Sequence, residues 1–196
     1  TCQDVNFTSK LANHTIKSGY TKIGDKGQGV YYIFYGALNT TVADLSKKPV
    51  VVYLEGGPGL STFLVNFQAI GPYDIIQGVN STYQMTPRNA NNTWNTEFSL
   101  LFIESPIGTG ASTAGDASYF ANSTSDIASQ VLKSLEDFFG NCYSIFTNKS
   151  TTPSIILQGH SFAGRVAITL ANQIIETNSP LRNYTKGVMA VSPALD

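Results

Sequence analysis

The fold is decided by the stretch Gln158-Gly159-His160-Ser161-Phe162-Ala163-Gly164, which follows the apolar run 154–157 and precedes the helix-like run 165–171. A serine between a strand and a helix, with small residues around it, is typical of a sharp turn that exposes the hydroxyl at the carboxyl end of a sheet. We therefore predict that Ser161 is a nucleophile. The alternative is a glycine-rich turn in which the serine is incidental.

A second glycine-rich turn follows another apolar run. The run Val50-Val51-Val52-Tyr53-Leu54 is typical of a buried strand, and Glu55-Gly56-Gly57-Pro58-Gly59 comes directly after it. Acyl transfer needs backbone N–H groups that point at the developing oxyanion, and glycine lets the backbone come close enough. We predict that this turn supplies one N–H and that Phe162, the residue after the nucleophile, supplies the other. The alternative is a tight surface turn.

The chain resembles the serine carboxypeptidases along most of its length. The segments that carry the resemblance are 19–20, 30–35, 55–62, 71–72, 94–95, 101–112, 159–164 and 186–196. Segment 55–62 is similar to the family's Asn-Gly-Gly-Pro-Gly-Cys-Ser, and segment 159–164 to its Gly-Glu-Ser-Tyr-Ala-Gly. The resemblance implies an α/β-hydrolase fold, with a mostly parallel central sheet flanked by helices. It also implies Ser161 as the nucleophile and the N–H groups of Gly57 and Phe162 as the oxyanion donors.

Three positions depart from the family pattern. The family binds the terminal carboxylate of its substrate with an Asn before Gly-Gly-Pro-Gly, a Glu before the nucleophile and a Glu two residues before Gly-Pro. These positions are Glu55, His160 and Ala69 here. An anionic Glu55 would repel a substrate carboxylate, and a poorly paired charge in a cleft is costly, so Glu55 could instead face His160. We predict that Glu55, Gly56 and His160 bind substrate with altered specificity, or that activity is lost.

The histidine count bears on the catalytic base, because a serine hydroxyl needs an adjacent base to become nucleophilic. The chain has two histidines. His160 is a poor candidate, since adjacent side chains on a sharp turn point apart, and His14 lies in a glycosylation sequon at the surface. By the family analogy, the catalytic Asp and His follow the nucleophile at a long interval and are expected on a second polypeptide.

The sheet formed by this chain is also expected to be incomplete, because too few strands are predicted. Strands are predicted near 30–35, 49–54, 100–104, 154–158 and 188–191, fewer than the eight of the complete fold. An apolar parallel strand at an unpaired edge is an aggregation hazard. Residues 1–196 are therefore interpreted as the N-terminal portion of one domain, ending about where the family's cap insertion begins. The C-terminal chain of the same precursor is predicted to complete the sheet and the triad.

Two helices are predicted from the spacing of apolar residues. Residues 126–139 carry apolar side chains at helical intervals, with Ser125 as the expected cap and Gly140 at the end. Residues 162–177 form the second helix, whose N-terminal dipole would point at the oxyanion site.

The composition favours a secreted or lysosomal/vacuolar glycoprotein. Only 13% of residues are charged, against about a quarter in a typical soluble domain. Glycan would supply polar surface, and there are eight sequons, where chance would give about three. Their acceptor residues are Asn6, Asn13, Asn39, Asn80, Asn91, Asn122, Asn148 and Asn183.

Other classes of site and partner are not indicated. Cys2 and Cys142 are expected to be paired in an oxidising compartment, either with each other or with the second chain. No pattern predicts a metal or another cofactor. Scattered basic residues and a net charge of −1 argue against nucleic acid, and no apolar run is long enough to span a membrane.

Two functions from different classes follow from the sequence. In the first, Ser161 attacks a peptide or ester carbonyl and a histidine of the partner chain takes the proton. Transfer of the acyl group to an alcohol uses the same residues and is not separated from hydrolysis. In the second, the fold serves as an inactive glycoprotein that binds or assembles. The complete serine turn favours the enzyme.

Overall fold

The computed structural model describes residues 2–4, 15–24, 27, 29–142 and 153–195. The strands are β1 (Cys2–Asp4), β2 (Ile16–Lys22), β3 (Gly29–Tyr35), β4 (Val50–Leu54), β5 (Tyr73–Gln77), β6 (Tyr83–Pro87), β7 (Ser99–Ile103), β8 (Ile155–His160) and β9 (Thr185–Val191). The α-helices are α1 (Phe63–Val65), α2 (Thr124–Asp137) and α3 (Phe162–Glu176). Short 3-10 or π-helical turns span Val42–Lys47, Asn66–Ile70, Val79–Ser81, Ala90–Asn92, Trp94–Thr96, Ala117–Tyr119 and Phe138–Cys142.

Seven strands form the main sheet in the order β1-β2-β3-β7-β4-β8-β9. Strands β7, β4, β8 and β9 run parallel, whereas β1, β2 and β3 extend the sheet with antiparallel pairs. The predicted α/β architecture, with a parallel central sheet between helices, is confirmed. All five predicted strands are present, and β8, which leads into the serine turn, lies between β4 and β9.

The central strands are apolar because both of their faces are covered. Every residue of β4 and of β7 is buried, as expected for parallel strands between two layers. Helices α2 and α3 pack on one face, where Val131, Leu135 and Leu170 are fully buried. The other face carries α1, the π-helical turn after it and Trp94. The core therefore holds the carboxyl ends of β4, β7 and β8 beside one another.

The structure corrects one helix cap and shows elements that the sequence did not indicate. Helix α2 is capped by Ser123, whose hydroxyl accepts from the Asp126 N–H at 3.0 Å, so the assignment of Ser125 as the cap is wrong. Ser125 lies in the first turn, where its carbonyl accepts from the Ser129 hydroxyl. Gly140 does not stop the helical segment directly, because it lies within the π-helical turn that follows. Strands β1, β2, β5 and β6 are not among the five predicted strands, and β5 and β6 form a separate hairpin.

Strand β9 forms one border of the sheet among the described residues. Its apolar side chains are exposed on both faces: Val188 is 39% exposed, and Met189 and Val191 are each 41% exposed. On the adjoining helix α3, Ile168 and Ile175 are also exposed. This border thus has the composition of an interior strand without the cover that such a strand normally has.

Some predicted features fall outside the described part of the chain. His14 and the sequon residues Asn6, Asn13 and Asn148 lie there, as do the side chains of Cys2 and Cys142. Within the described residues, none of the helices combines the length and the apolar character needed to cross a membrane.

Candidate active site

Ser161 lies at the sharp turn between β8 and α3, as the sequence predicts. Its backbone has φ 54° and ψ −125°, a left-handed conformation that is strained for a residue with a side chain. The turn is held from both directions, because the Ser161 N–H donates to the Val191 carbonyl at 2.9 Å and the Ser161 carbonyl accepts from Gly164 and Ala194. The side chain is half-buried, and its hydroxyl has no hydrogen-bond partner among the described residues.

Small residues flank Ser161 because the strand and helix touch there. A Cβ at Gly159 would overlap the carbonyl group of Ala163, and a Cβ at Gly164 would lie 2.6 Å from the Pro193 Cβ. Ala163 itself is 1% exposed. Larger side chains at Gly159 and Gly164 would therefore clash with the neighbouring backbone and with Pro193.

The glycine-rich turn after β4 lies against the serine turn. Strands β4 and β8 pair in parallel, with Leu54 opposite Gly159, so the residues that follow leave the sheet together. A Cβ at Gly56 would lie 2.9 Å from the Ser161 Cβ and 3.0 Å from the Phe162 nitrogen, which explains the need for glycine. Gly57 has φ 109°. Within the described chain, the N–H groups of Gly57 and Phe162 donate to no acceptor.

Glu55 and His160 form a direct pair beside the serine turn. The His160 Nδ1 lies 2.7 Å from the Glu55 Oε1, so the option that these two residues face each other is the one that the structure adopts. The His160 ring contacts Glu55 rather than Ser161, with which it makes no hydrogen bond among the described residues. The Glu55 side chain is 4% exposed, whereas that of His160 is 44% exposed.

Two further donors hold the buried Glu55 carboxylate. The Gly56 N–H donates to Oε1 at 2.8 Å, and the Tyr53 hydroxyl donates to Oε2 at 3.1 Å. Burial, followed by the charge and the hydrogen bond of Glu55, raises the pKa of Tyr53 above its ordinary value. The phenol therefore stays protonated and acts as a donor. Such bonds offset the cost of burying a carboxylate.

Ala69 is the third position that departs from the family pattern, and it is not part of the Glu55–His160 pair. It is an exposed residue of the π-helical turn Asn66–Ile70. Its carbonyl accepts from the Arg88 guanidinium, which also pairs with Asp74 at the base of the hairpin. The position of Ala69 therefore supplies a backbone contact and no polar side chain.

Glu104 is a site residue to which the sequence analysis gave no role. It follows β7 directly and is fully buried. Its carboxylate accepts from the Ser61 hydroxyl at 2.7 Å, from the Thr62 N–H at 2.7 Å and from the Thr62 hydroxyl. Glu104 thus fixes the residues that follow the glycine-rich turn. The signal in the sequence was a single acid directly after an apolar strand, within a segment that resembles the family.

A small cavity lies between the glycine-rich turn and the N-terminus of α3. The cavity bordered by Glu55, Gly59, Ser105 and Phe162 has a volume of ≈ 10 Å³, room for about one water molecule. Larger open grooves, of ≈ 590 Å³ and ≈ 300 Å³, lie along α2, away from Ser161. In this part of the chain, no three His, Cys, Asp or Glu side chains cluster as metal ligands would.

A strained serine between a parallel strand and a helix, beside a glycine-rich turn, is the arrangement of an α/β-hydrolase. The family model described as serine carboxypeptidase matches residues 6–196, and the chain belongs to this family. It is 33% identical over 150 residues to the retinoid-inducible serine carboxypeptidase of Mus musculus, covering 76% of this chain and 30% of that protein. It is 30% identical over 173 residues to the serine carboxypeptidase-like 50 of Arabidopsis thaliana, covering 88% of this chain and 36% of that protein.

Comparison with solved structures confirms the α/β-hydrolase fold. The prohormone-processing carboxypeptidase KEX1(delta)P of Saccharomyces cerevisiae superposes with a TM-score of 0.70 at 23% identity, over 90% of this chain and 38% of that one. A fungal esterase from Rhizomucor miehei superposes with a TM-score of 0.54 at 11% identity, over 95% of this chain and 46% of that one. The chain spans between 25% and 38% of the length of the curated relatives compared.

The close contact at Gly159 gives a stability prediction. Gly159→Ala should lower the free energy of unfolding by about 3 kcal/mol, because the new Cβ would overlap the Ala163 backbone. Urea unfolding measures the change. Gly140→Ala is the matched control, since Gly140 is exposed and a Cβ there has open space, and it should lower stability by no more than about 0.5 kcal/mol. Equal stability of the two variants would contradict the packing at the turn.

The buried Glu104 carboxylate gives a second prediction. Glu104→Ala should lower the free energy of unfolding by about 3 kcal/mol, because donors on Ser61 and Thr62 lose their acceptor. The control is Glu97→Gln. The Glu97 side chain is 75% exposed and forms a long ion pair with Lys48 at 3.6 Å, so the free energy of unfolding should change by at most about 0.5 kcal/mol. If thermal and urea unfolding give the same loss for both variants, Glu104 does not hold the loop.

Proposed function

We propose that this chain is the N-terminal part of a two-chain serine carboxypeptidase-like hydrolase, which cleaves a peptide or ester bond with Ser161. The observation that carries the proposal is the strained Ser161 backbone, φ 54°, held beside two backbone N–H groups without acceptors in the described chain. A scaffold has no need to maintain such a strained residue, because strain of this kind costs about 1–3 kcal/mol.

The proposed reaction follows from these groups. The Ser161 Oγ attacks the substrate carbonyl carbon, and the hydroxyl proton passes to a histidine that an aspartate orients. The N–H groups of Gly57 and Phe162 hold the oxyanion, and the N-terminus of α3 adds a favourable dipole. The leaving group departs with the proton, and water releases the acyl group from Ser161. An alcohol in place of water would give acyl transfer. No cofactor enters any step.

The aspartate and the histidine are assigned to a second polypeptide, the C-terminal chain of the same precursor. The exposed apolar faces of β9 support this assignment, since Met189 and Val191 are each 41% exposed. The only histidine within the described residues, His160, is bonded to Glu55.

Recognition of the substrate's leaving group is proposed to differ from that of the family. The buried Glu55 carboxylate lies where the family pattern has an uncharged Asn, and His160 replaces an acid. Ala69 brings no polar side chain. A free substrate carboxylate would therefore meet a buried negative charge rather than the family's set of ligands, and it should bind poorly.

A glycosylated protein of the secretory route, either secreted or lysosomal/vacuolar, is proposed on the sequons. The sequon residues within the described chain are all exposed, namely Asn39, Asn80, Asn91, Asn122 and Asn183. A glycan at each could extend into solvent without displacing the core.

The second candidate function is a catalytically inactive glycoprotein with a structural or binding role. The observation that favours it is the change at Glu55, His160 and Ala69, which removes the family's carboxylate ligands. An inactive protein would keep the fold while the hydroxyl of Ser161 remained unreactive.

Labelling with a fluorophosphonate distinguishes the two functions. In the native protein with all its chains, the proposed enzyme forms an adduct that peptide mass mapping locates on Ser161, because only an activated serine reacts rapidly. Ser161→Ala should reduce labelling by about 10³-fold or more. Ser192→Ala, which changes another serine with positive φ, should leave it intact. Folded protein without an adduct on Ser161 would support the inactive glycoprotein instead.

The second polypeptide is tested by the intact mass of protein purified from the cells that make it. A complex heavier than this chain and its glycans is expected, and denaturation with reductant should resolve two polypeptides. Met189→Asp should weaken their association about 100-fold, since it buries a charge where β9 is covered. Ile75→Asp, on the exposed hairpin strand β5, is the control. A single polypeptide in every condition would rule out the two-chain arrangement.

A further inference from the structure

His160 and Glu55 occupy equivalent places on neighbouring strands. Leu54 of β4 pairs with Gly159 of β8, so Glu55 and His160 are the next residues along two parallel strands. Their side chains leave the same face of the sheet, where the His160 Nδ1 and the Glu55 Oε1 meet at 2.7 Å. This geometry fixes the orientation of the His160 ring beside Ser161.

The partners of Glu55 determine which ring nitrogen of His160 carries the proton. The Glu55 carboxylate is 4% exposed and already accepts from Tyr53 and Gly56. An ionised carboxylate can only accept hydrogen bonds, so the Nδ1 of His160 must be the donor. In the neutral imidazole the Nε2 is then an acceptor. It has no partner in the described chain, and the ring is 44% exposed.

The charge of the pair disfavours a free carboxylate on the substrate. With a neutral imidazole the pair carries one negative charge, and with a protonated imidazole it carries none. In neither state is there an excess positive charge to bind an anion, and the Glu55 carboxylate is fixed beside the ring. With the neutral ring, whose Nε2 is an acceptor, an uncharged group that donates a hydrogen bond to Nε2 satisfies the pair without burying another charge.

We infer that His160, oriented by Glu55, selects substrates whose leaving group ends in an uncharged hydrogen-bond donor, above all peptides that end in a carboxamide. The carboxamide N–H donates to the His160 Nε2 while Ser161 attacks the preceding peptide bond. That C–N bond breaks, the amino-acid amide leaves with the proton, and water releases the peptide acid. The inference rests on the proposed function of Ser161.

The test compares three N-acyl dipeptides that differ only at the carboxyl end: the primary amide, the dimethylamide and the free acid. The native protein with all its chains should cleave the primary amide with a kcat/KM at least about tenfold above either of the others. The dimethylamide is uncharged but has no N–H, so it separates hydrogen bonding from charge. Equal rates for the two amides, or preference for the acid, would overturn the inference.

Variants test whether His160 sets this preference. His160→Ala should lower kcat/KM for the primary amide about tenfold and bring it close to the value for the dimethylamide. The double variant Glu55→Asn/His160→Glu should shift preference at least about tenfold toward the free acid. Asn172→Ala, on the exposed side of α3, is the control and should keep the parental order. An unchanged order in His160→Ala would overturn the inference.

Two measurements separate failure of this inference from failure of the proposed function. If Ser161 reacts with a fluorophosphonate but the acid is preferred, the inference fails alone; if Ser161 does not react, both fail. The ¹⁵N NMR spectrum of the His160 ring gives a readout that does not depend on activity. The neutral ring is expected to carry its proton on Nδ1 rather than on Nε2, and the opposite tautomer would overturn the inference.

Discussion

The parallel contact between the carboxyl ends of β4 and β8 is the constraint on which the site depends. The two strands leave the sheet side by side, and a Cβ at Gly56 would lie 2.9 Å from the Ser161 Cβ. At this separation only backbone can lie between the strand ends. The N–H groups of Gly57 and Phe162 and the Glu55–His160 pair all follow from this contact. The strain at Ser161 is sustained by the same packing and by the hydrogen bonds that its N–H and carbonyl groups make.

Two buried carboxylates anchor the glycine-rich turn at its ends. Glu55 begins the turn and bonds to Gly56 and His160, while Glu104, at the end of β7, binds Ser61 and Thr62 after it. Each carboxylate is costly to bury, and each is offset by several donors. The short backbone segment between the two anchors, residues 56–60, is thereby held at both ends. Such preorganisation is what an oxyanion site requires, since donors that need not move stabilise charge best.

The sequence predicted the parts of the structure that local pattern determines. Apolar runs bounded by glycine-rich turns indicated β4 and β8, and helical spacing indicated α2 and α3. The hairpin β5–β6 was missed because Ile75 and Ile76, on opposite faces, are both exposed, so no alternation marks its strands. The N-cap of α2 could not be chosen from residue type, because Ser123 and Ser125 offer the same hydroxyl group. The position at which the helix begins makes Ser123 the cap.

The contacts of the site required knowledge of the register between strands. Glu104 accepts hydrogen bonds from Ser61 and Thr62, which are more than forty residues away in sequence. The spacing of apolar residues along the chain does not predict such a contact. The sequence left open whether Glu55 faces His160, because the answer depends on the alignment of β4 with β8. The resemblance to the family located the residues that had changed, and only the geometry showed that two of them bond to each other.

The exposed border strand β9 lies next to the candidate site. Val191 of β9 pairs with His160 in register, and the exposed Met189 and Val191 lie on the same face of the sheet as the His160 ring. A segment that covered this face to bury their apolar surface would therefore also form a wall beside His160 and Ser161. Burial of about 100 Å² of apolar surface is worth about 2.5 kcal/mol, so the force that closes the sheet would also close the cleft. In the proposed two-chain arrangement, one covering segment would thus complete both the sheet and the site.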